Sequence, residues 1–285
     1  MCGSDKLKVI GKRLNQSQGF YPQKKIGITT SIVKCKNCGL KFANPIPIPE
    51  KLNDHYDLET QKYFEKSFEE FHPSSFNAEI NYFKSIYNIQ TGITSLDIGA
   101  GLGNIMKAME THGLNAYGIE PSFSFYNYAV NSMGVSKDRL HNKAIEEADF
   151  KKESFDFITF SAVFEHLYEP DKALRQALTW LKKGGVLFIG VPSAYSLNQE
   201  LINLIYKIRG LDYVCNLSPM HPPFHIYEFT KRSFEKNSIK NNYSIVKVDR
   251  VTYKTYLPEI LNPIIFPLIR LTKTDMNLNI WIRKK

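Results

Sequence analysis

Residues 95–104 read Ser95-Leu96-Asp97-Ile98-Gly99-Ala100-Gly101-Leu102-Gly103-Asn104. An apolar stub carrying one acid runs into three alternating glycines, and a helical stretch opens at Ile105. The pattern predicts a strand, a tight turn and a helix start. Glycine is required where the backbone turns sharply and a ligand must approach with no Cβ in the way. The first turn of the helix offers unpaired N–H groups to a carboxylate or phosphate.

Outward from this turn, strand and helix patterns alternate, which predicts an α/β fold with a parallel sheet covered on both faces. A helix runs to Gly113, and a second strand, 115–120, ends at Glu120. A helix follows from Ser122 towards Gly134, then a weak third strand at 140–145. Residues 155–163 are near-continuously apolar, as a buried parallel strand is. Pro170-Asp171 starts a helix whose apolar face is Ala173, Leu174, Ala177, Leu178 and Leu181. Gly184-Gly185 is expected to stop it before strand 186–191. Residues 243–251 and 278–283 read as two later strands.

The glycine spacing is G-x-G-x-G, whereas the dinucleotide fingerprint is G-x-G-x-x-G. Asp97 precedes the first glycine by two residues, where a carboxylate would compete with a pyrophosphate but welcome an amino group. S-adenosylmethionine, with an ammonium and a carboxylate beside a sulfonium, matches better. Glu120, closing the second strand, can accept both ribose hydroxyls of a nucleoside.

The chain has 285 residues, 43% of them hydrophobic, enough for a sizeable core. Its 37 Lys and Arg against 28 Asp and Glu leave a net charge of +9. That balance favours an anionic partner: a nucleotide-linked substrate, a nucleic acid or a membrane surface. Cys2, Cys35, Cys38 and Cys215 do not form a disulfide-dense pattern. No N-terminal apolar region reads as a signal peptide. The greasiest stretch, 256–271, is broken by three prolines, Glu259 and Asn262, too short and interrupted to span a bilayer. A cytoplasmic location is the expectation.

Residues 1–48 are polar and basic and end in the stiff run Asn44-Pro45-Ile46-Pro47-Ile48-Pro49. Residues 49–93 read as a helical cover with an aromatic stripe (Tyr56, Tyr63, Phe64, Phe68, Phe71, Phe76, Tyr82, Phe83, Tyr87), a pattern more typical of core packing than of a ligand box. The main domain is then 94–285. Insertions at 195–224 and 252–275 are longer than sheet connections need, and loops of that length usually carry function or are disordered. They are expected to form a lid over an acceptor pocket, with Leu201, Leu204, Ile205 and Ile208 on one helix face.

Five motifs now occur in order: Leu96-Asp97-Ile98-Gly99-Ala100-Gly101-Leu102-Gly103, Tyr117-Gly118-Ile119-Glu120, Ser154-Phe155-Asp156, Glu165-His166-Leu167-Tyr168-Glu169-Pro170 and Leu181-Lys182-Lys183-Gly184-Gly185. Over residues 94–250 the chain resembles the class I S-adenosylmethionine-dependent methyltransferases, in their ubiquinone-biosynthesis-like branch. The resemblance implies a Rossmann-like seven-stranded sheet with helices on both faces and an antiparallel last strand. It implies that Asp97, Gly99, Ala100, Gly101, Gly103 and Asn104 hold the methionine portion, Glu120 the ribose and Ile145 the adenine, with Ser161 facing the methionine end.

The front segment resembles a degenerate zinc ribbon. Cys35-Lys36-Asn37-Cys38-Gly39 is half of a knuckle and Cys2-Gly3-Ser4 the tail of another. Cys2, Cys35 and Cys38 are the implied zinc ligands, one short of the four that a structural zinc takes; the alternative is three reduced thiols. Sugar methyltransferases with such a ribbon carry a run similar to His225-Ile226-Tyr227-Glu228-Phe229 on the acceptor side. That resemblance makes His225 the first choice for a catalytic base and His166 the second, the alternative for His166 being a structural histidine bonded to a neighbouring loop; His221 lies in the same proline-pinned segment, and Tyr227 and Glu228 read equally as groups that orient the acceptor or as exposed surface residues. In the ubiquinone-pathway O-methyltransferases an additional carboxylate, three residues before the Glu-His pair, helps hold a metal. Here that position is Ala162, so the resemblance does not carry a catalytic divalent ion over. The implied activity is O-methylation of a small molecule, a sugar or glycan precursor of polysaccharide biosynthesis, anionic or nucleotide-linked. The rival is an RNA or other nucleic-acid methyltransferase, motivated by the charge and the knuckle-like front and ranked lower because the Pro-Pro-Tyr/Phe-type tetrad of amino-methylating nucleic-acid enzymes is not found.

Overall fold

The computed structural model describes residues 1–14, 29–48, 72, 74, 76–88, 92–215, 217–220, 224–252, 255 and 258–285. The front segment is an antiparallel sheet of β1 (Leu7–Leu14), β2 (Thr29–Cys35) and β3 (Lys41–Ala43). The core sheet is built from β4 (Thr94–Ile98), β5 (Asn115–Ile119), β6 (Leu140–His141), β7 (Phe155–Ser161), β8 (Leu181–Pro192), β10 (Tyr243–Val251) and β11 (Asn277–Lys284). Its order is β10-β11-β8-β7-β4-β5-β6. The pairs from β8 to β6 are parallel, while β11 runs antiparallel to both β8 and β10. The short β9 (Tyr227–Glu228) pairs with β3 and extends the front sheet.

The helices are α1 (Asn77–Ile86), α2 (Asn104–Thr111), α3 (Phe123–Asn131), α4 (Pro170–Trp180), α5 (Leu197–Ile208), α6 (Lys231–Asn241) and α7 (Asn262–Thr272). Residues in α4 follow the expected logic: Pro170 sits in the first turn, where its missing N–H costs nothing, and Ala173, Leu174, Ala177 and Leu178 are buried at helical spacing. Helix α1 lays Ile80 and Phe83 on the sheet, where Phe83 stacks on Phe157 with centroids 4.4 Å apart.

Several expectations are corrected. The third strand is only Leu140–His141, so Ile145 lies beyond it. The fourth ends at Ser161, not at residue 163, because Ala162 turns into a left-handed conformation (φ 55°). Gly184-Gly185 does not stop a helix. α4 ends at Trp180, and Leu181 already pairs with Phe155 in β8. Five residues of β8 then oppose two of β7, and Gly184 absorbs that bulge at φ 75°. Of the helical cover expected at 49–93, the described part is α1; residues 49–71, 73, 75 and 89–91, like His221, lie outside the described residues. The apolar face of α5 is not buried: Leu204 is 52% and Ile208 75% exposed.

The front sheet is fastened to the core through α6. Thr230 caps this helix, accepting from Ser233 N at 3.0 Å, and donates its hydroxyl to Cys38 O at 2.6 Å. Thr230→Val removes a cap and leaves that buried carbonyl unpaired. We expect a loss of about 2–3 kcal/mol in denaturant unfolding, with Thr230→Ser retaining most of the stability.

Candidate active site

Asp97 is the second-last residue of β4, just before the glycine turn, and is 1% exposed. Its Oδ1 accepts from Thr159 Oγ1 at 2.6 Å, and its Oδ2 has no hydrogen-bond partner among the described residues. Burial pushes its carboxyl up to about 7, helped by nearby Glu120 and opposed by Thr159. The turn itself is shaped by contact. A Cβ on Gly99 would stand 2.4 Å from Val163 Cγ2, and one on Gly103 2.6 Å from Val135 Cγ2. At Gly101 a Cβ would meet nothing within 4 Å, so this glycine faces open space. Ala100 is buried, and Asn104, first residue of α2, holds a buried Oδ1 with no partner among the described residues.

Glu120 does more than its sequence position suggests. Its Oε2 accepts from Gly101 N at 2.7 Å and its Oε1 from Ser122 N at 2.8 Å. It therefore ties the glycine turn to the start of α3. Burial raises its pKa to about 7 against the pull of those two bonds. A carboxylate has lone pairs beyond these two bonds, so ribose hydroxyls can still be accepted. Ile145 is buried in the core on that side, and Gln176 Nε2 fixes its carbonyl at 2.9 Å. The residues fit S-adenosylmethionine: a buried carboxylate with one oxygen left without a partner among the described residues suits an ammonium, and the gap at Gly101 admits a ligand against bare backbone.

Beside this lies a cleft of about 460 Å³. Ser161, Ala162, Glu165 and His225 line one part of it, Phe76 and Glu79 another, and Gly190, Asn277 and Asn279 its strand side. Ser161, Gly190 and Asn279 face one another across β7, β8 and β11. The sequence reading missed Glu79, Asn277 and Asn279. The signal was available in the last two: polar residues alternating at period two at the start of an otherwise apolar strand.

Glu165, His166 and His225 come together although His225 is far away in the chain. Ile226 N donates to Glu165 O at 2.9 Å. His225 and Ser218 clamp each other, His225 N to Ser218 Oγ and Ser218 N to His225 O, both at 3.0 Å. The two imidazoles sit 4.9 Å apart, and each Nε2 lies 3.9 Å from Glu165 Oε1. Burial, and then His166, drives His225 down to about 3, while burial raises Glu165 to about 8. A free imidazole at that value is neutral through the working range and a weak proton acceptor. Tyr227 and Glu228, expected to orient the acceptor, are buried in the joint to the front sheet. Tyr227 donates to Tyr168 O at 3.1 Å, and Glu228 lies 3.8 Å from Lys41 Nζ. In the front segment the sulfurs of Cys2, Cys35 and Cys38 lie within 4.8 Å of one another.

A model of the methyltransferase domain family matches residues 68–248. The ubiquinone biosynthesis O-methyltransferase of Coxiella burnetii is 29% identical over 126 residues, 44% of this chain and 52% of that protein. The enzyme of the same name from Pelagibacter ubique is 29% identical over 166 residues, 56% of this chain and 65% of that one. The chain thus spans about half the length of the first of these relatives. Among solved structures, a SAM-dependent methyltransferase from Archaeoglobus fulgidus superposes with a TM-score of 0.51 at 18% identity, covering 74% of this chain and 92% of that one. The YcgJ protein of Bacillus subtilis gives 0.50 at 18% identity, covering 75% and 100%. At such identities these two show the fold alone. No helix among the described residues is long and apolar enough to cross a membrane.

Proposed function

Because the chain belongs to the methyltransferase-domain family, as a class I S-adenosylmethionine-dependent member, we propose that it methylates a hydroxyl of a small acceptor bound in the cleft between β7, β8, β11 and α1. The observation that carries this reading is a buried carboxylate, Asp97, whose Oδ2 has no hydrogen-bond partner among the described residues, together with open space at Gly101. S-adenosylmethionine, when bound, supplies an electrophilic methyl carbon on a positively charged sulfur. Asp97 and the turn from Gly99 through Ala100, Gly101 and Gly103 to Asn104 hold its methionine end, with Ser161 alongside. Glu120 takes the ribose and Ile145 packs on the adenine. The protein's own work is alignment, which holds the acceptor oxygen in line with the methyl carbon and the leaving sulfur. The hydroxyl proton passes to the His225 imidazole on the cleft wall, whose charged form Glu165 beside it would stabilise, with His166 the second choice of base; S-adenosylhomocysteine is the leaving group.

The acceptor class that suits this cleft is a sugar, free or nucleotide-linked. Ser161, Glu79, Asn277 and Asn279 offer donors and acceptors for several hydroxyls, and the net charge of +9 suits a phosphate-bearing substrate. Isothermal titration with S-adenosylhomocysteine tests the core of the proposal: no binding to the full chain would end it. An acceptor panel of nucleotide sugars and simple phenols then tests the finer class.

For the front segment we propose a structural zinc held by Cys2, Cys35 and Cys38. Their mutual approach supports it, and a fourth ligand from outside this trio would close the tetrahedron. Cys35→Ser is expected to lower the zinc content of purified protein by about one equivalent. Unchanged zinc would leave three ordinary thiols.

A further inference from the structure

We propose that the acceptor carries an ammonium group beside the hydroxyl that is methylated, as an amino sugar does, and that Glu165, Glu79 and Asn279 recognise that cation. This rests on the methyltransferase reading above and names its acceptor more closely. The described lining of the cleft holds two carboxylates, Glu79 and Glu165, and neither Lys nor Arg. The chain as a whole carries 37 Lys and Arg against 28 Asp and Glu. The wall is therefore opposite in sign to the molecule. A cleft lined by one sign of charge gathers ligands of the other.

Two buried side chains on this wall want a donor. Glu165 is 1% exposed, and its Oε2 has no hydrogen-bond partner among the described residues. A buried carboxylate without compensation is costly, and a cation supplies that compensation. Asn279 is 9% exposed, and its side chain makes no hydrogen bond with any described residue. Its Oδ1 stands 3.3 Å from where a Cβ on Gly190 would lie, and both residues line the cleft. The missing side chain of Gly190 thus leaves that oxygen open. Glu79, half-buried in the first turn of α1, likewise has neither hydrogen bond nor ion pair with a described residue. Phe76 and Phe188, edge to face with centroids 5.3 Å apart, form an apolar part of the same wall, where the C–H face of a sugar ring can rest.

Neutral hydroxyls could bond to these oxygens, but they would leave the Glu165 charge without a counterpart. A phosphate would be repelled by both carboxylates, so the phosphate of a nucleotide-linked sugar belongs outside this wall. An ammonium offers three N–H donors and no acceptor, which suits a wall of carboxylate and amide oxygens. Burial raises Glu165 to about 8, so it is largely protonated in the empty cleft. Pairing with an ammonium ionises it and releases the proton. The titratable groups facing it are His166 and His225, each with Nε2 3.9 Å from its Oε1, and Glu79 on the α1 side. An ionised Glu165 is also the form that stabilises a protonated His225 during methyl transfer.

The test uses the full chain loaded with S-adenosylhomocysteine and titrated by calorimetry at pH 7 with D-glucosamine, D-glucose and D-glucose 6-phosphate. Glucosamine is expected to bind at least tenfold more tightly than glucose, and the phosphate more weakly than either. Its heat should differ between phosphate and Tris buffers, which reports the proton released. Glu165→Gln should abolish both the preference and the proton release, and Glu79→Gln should cut the preference at least threefold. If Glu165→Gln fails to fold, Glu79→Lys keeps the test open: it should turn the preference towards glucose 6-phosphate. Equal affinity for glucosamine and glucose, no binding of either, a preference for the phosphate in wild type, or a preference that survives both carboxylate substitutions overturns the proposal. So does N-methylation of an amino sugar that is turned over, since it would put the nitrogen at the methyl group and not on this wall. Failure to bind S-adenosylhomocysteine in the loading step sinks the methyltransferase reading; loading without an amine preference sinks this proposal alone.

Discussion

Asp97→Asn is expected to weaken S-adenosylhomocysteine binding at least a hundredfold, measured by calorimetry on a protein that remains folded. The substitution keeps the shape and the contact with Thr159 but removes the charge. What it deletes is a buried carboxylate that nothing among the described residues neutralises at Oδ2, and truncating one side of a buried charge pair costs about 2–5 kcal/mol. The same group makes binding pH-dependent. With its pKa raised to about 7, Asp97 is mostly protonated at pH 6 and mostly ionised at pH 8. Through Asp97 alone, affinity for the ammonium-bearing ligand should therefore fall about tenfold between pH 8 and pH 6, and Asp97→Asn should remove that part of the slope, leaving what Glu120 contributes at the ribose. Stability of the ligand-free protein runs the other way. Asp97 and Glu120 bind their protons more tightly folded than unfolded, so each takes stability away as pH rises from about 4 through about 7. A flat affinity profile in wild type would remove Asp97 from the ammonium site.

Two glycines separated by a single residue should respond differently to the same change. Gly99→Ala pushes a Cβ to 2.4 Å from Val163 Cγ2 at φ 73°. Val163 must move, and with it the turn that carries Glu165. We expect about 2–4 kcal/mol of lost stability in urea unfolding. Gly101→Ala meets nothing within 4 Å, so only its φ of 54° is strained, for about 1 kcal/mol. Its methyl, however, fills the space offered to the cofactor. Gly101→Ala should fold nearly as well as wild type and lose most affinity for S-adenosylhomocysteine. Equal effects of the two variants on stability and on binding would contradict this division of labour.

The glycine turn was legible because its geometry is local: three glycines and one acid within seven residues dictate strand, turn and helix start. The parallel core was legible for a related reason. A strand covered on both faces reads as a near-continuous apolar run, and β7 does so apart from Asp156, Thr159 and Ser161. The third strand and the end of α4 were misread because local signals compete with pairing. Gly184-Gly185 has the chemistry of a helix stop, yet Leu181 finds Phe155 first and the glycines serve a bulge. The apolar positions of α5 were read correctly as a periodic face, but not as one that remains exposed, since periodicity says which residues share a side and not what covers it.

By itself, then, the sequence determined the α/β alternation, the turn at Gly99 to Gly103, the acids at both strand ends and the family these belong to. Each of those is fixed by steric and hydrogen-bonding constraints acting over a few residues. Only the tertiary structure decided that Glu120 staples the turn, that Asn277 and Asn279 border the cleft, and that His225 stands beside Glu165 and His166. Those facts depend on sheet register and on a backbone bond from Ile226 to Glu165, across sixty residues of chain whose local preferences carry no record of the contact.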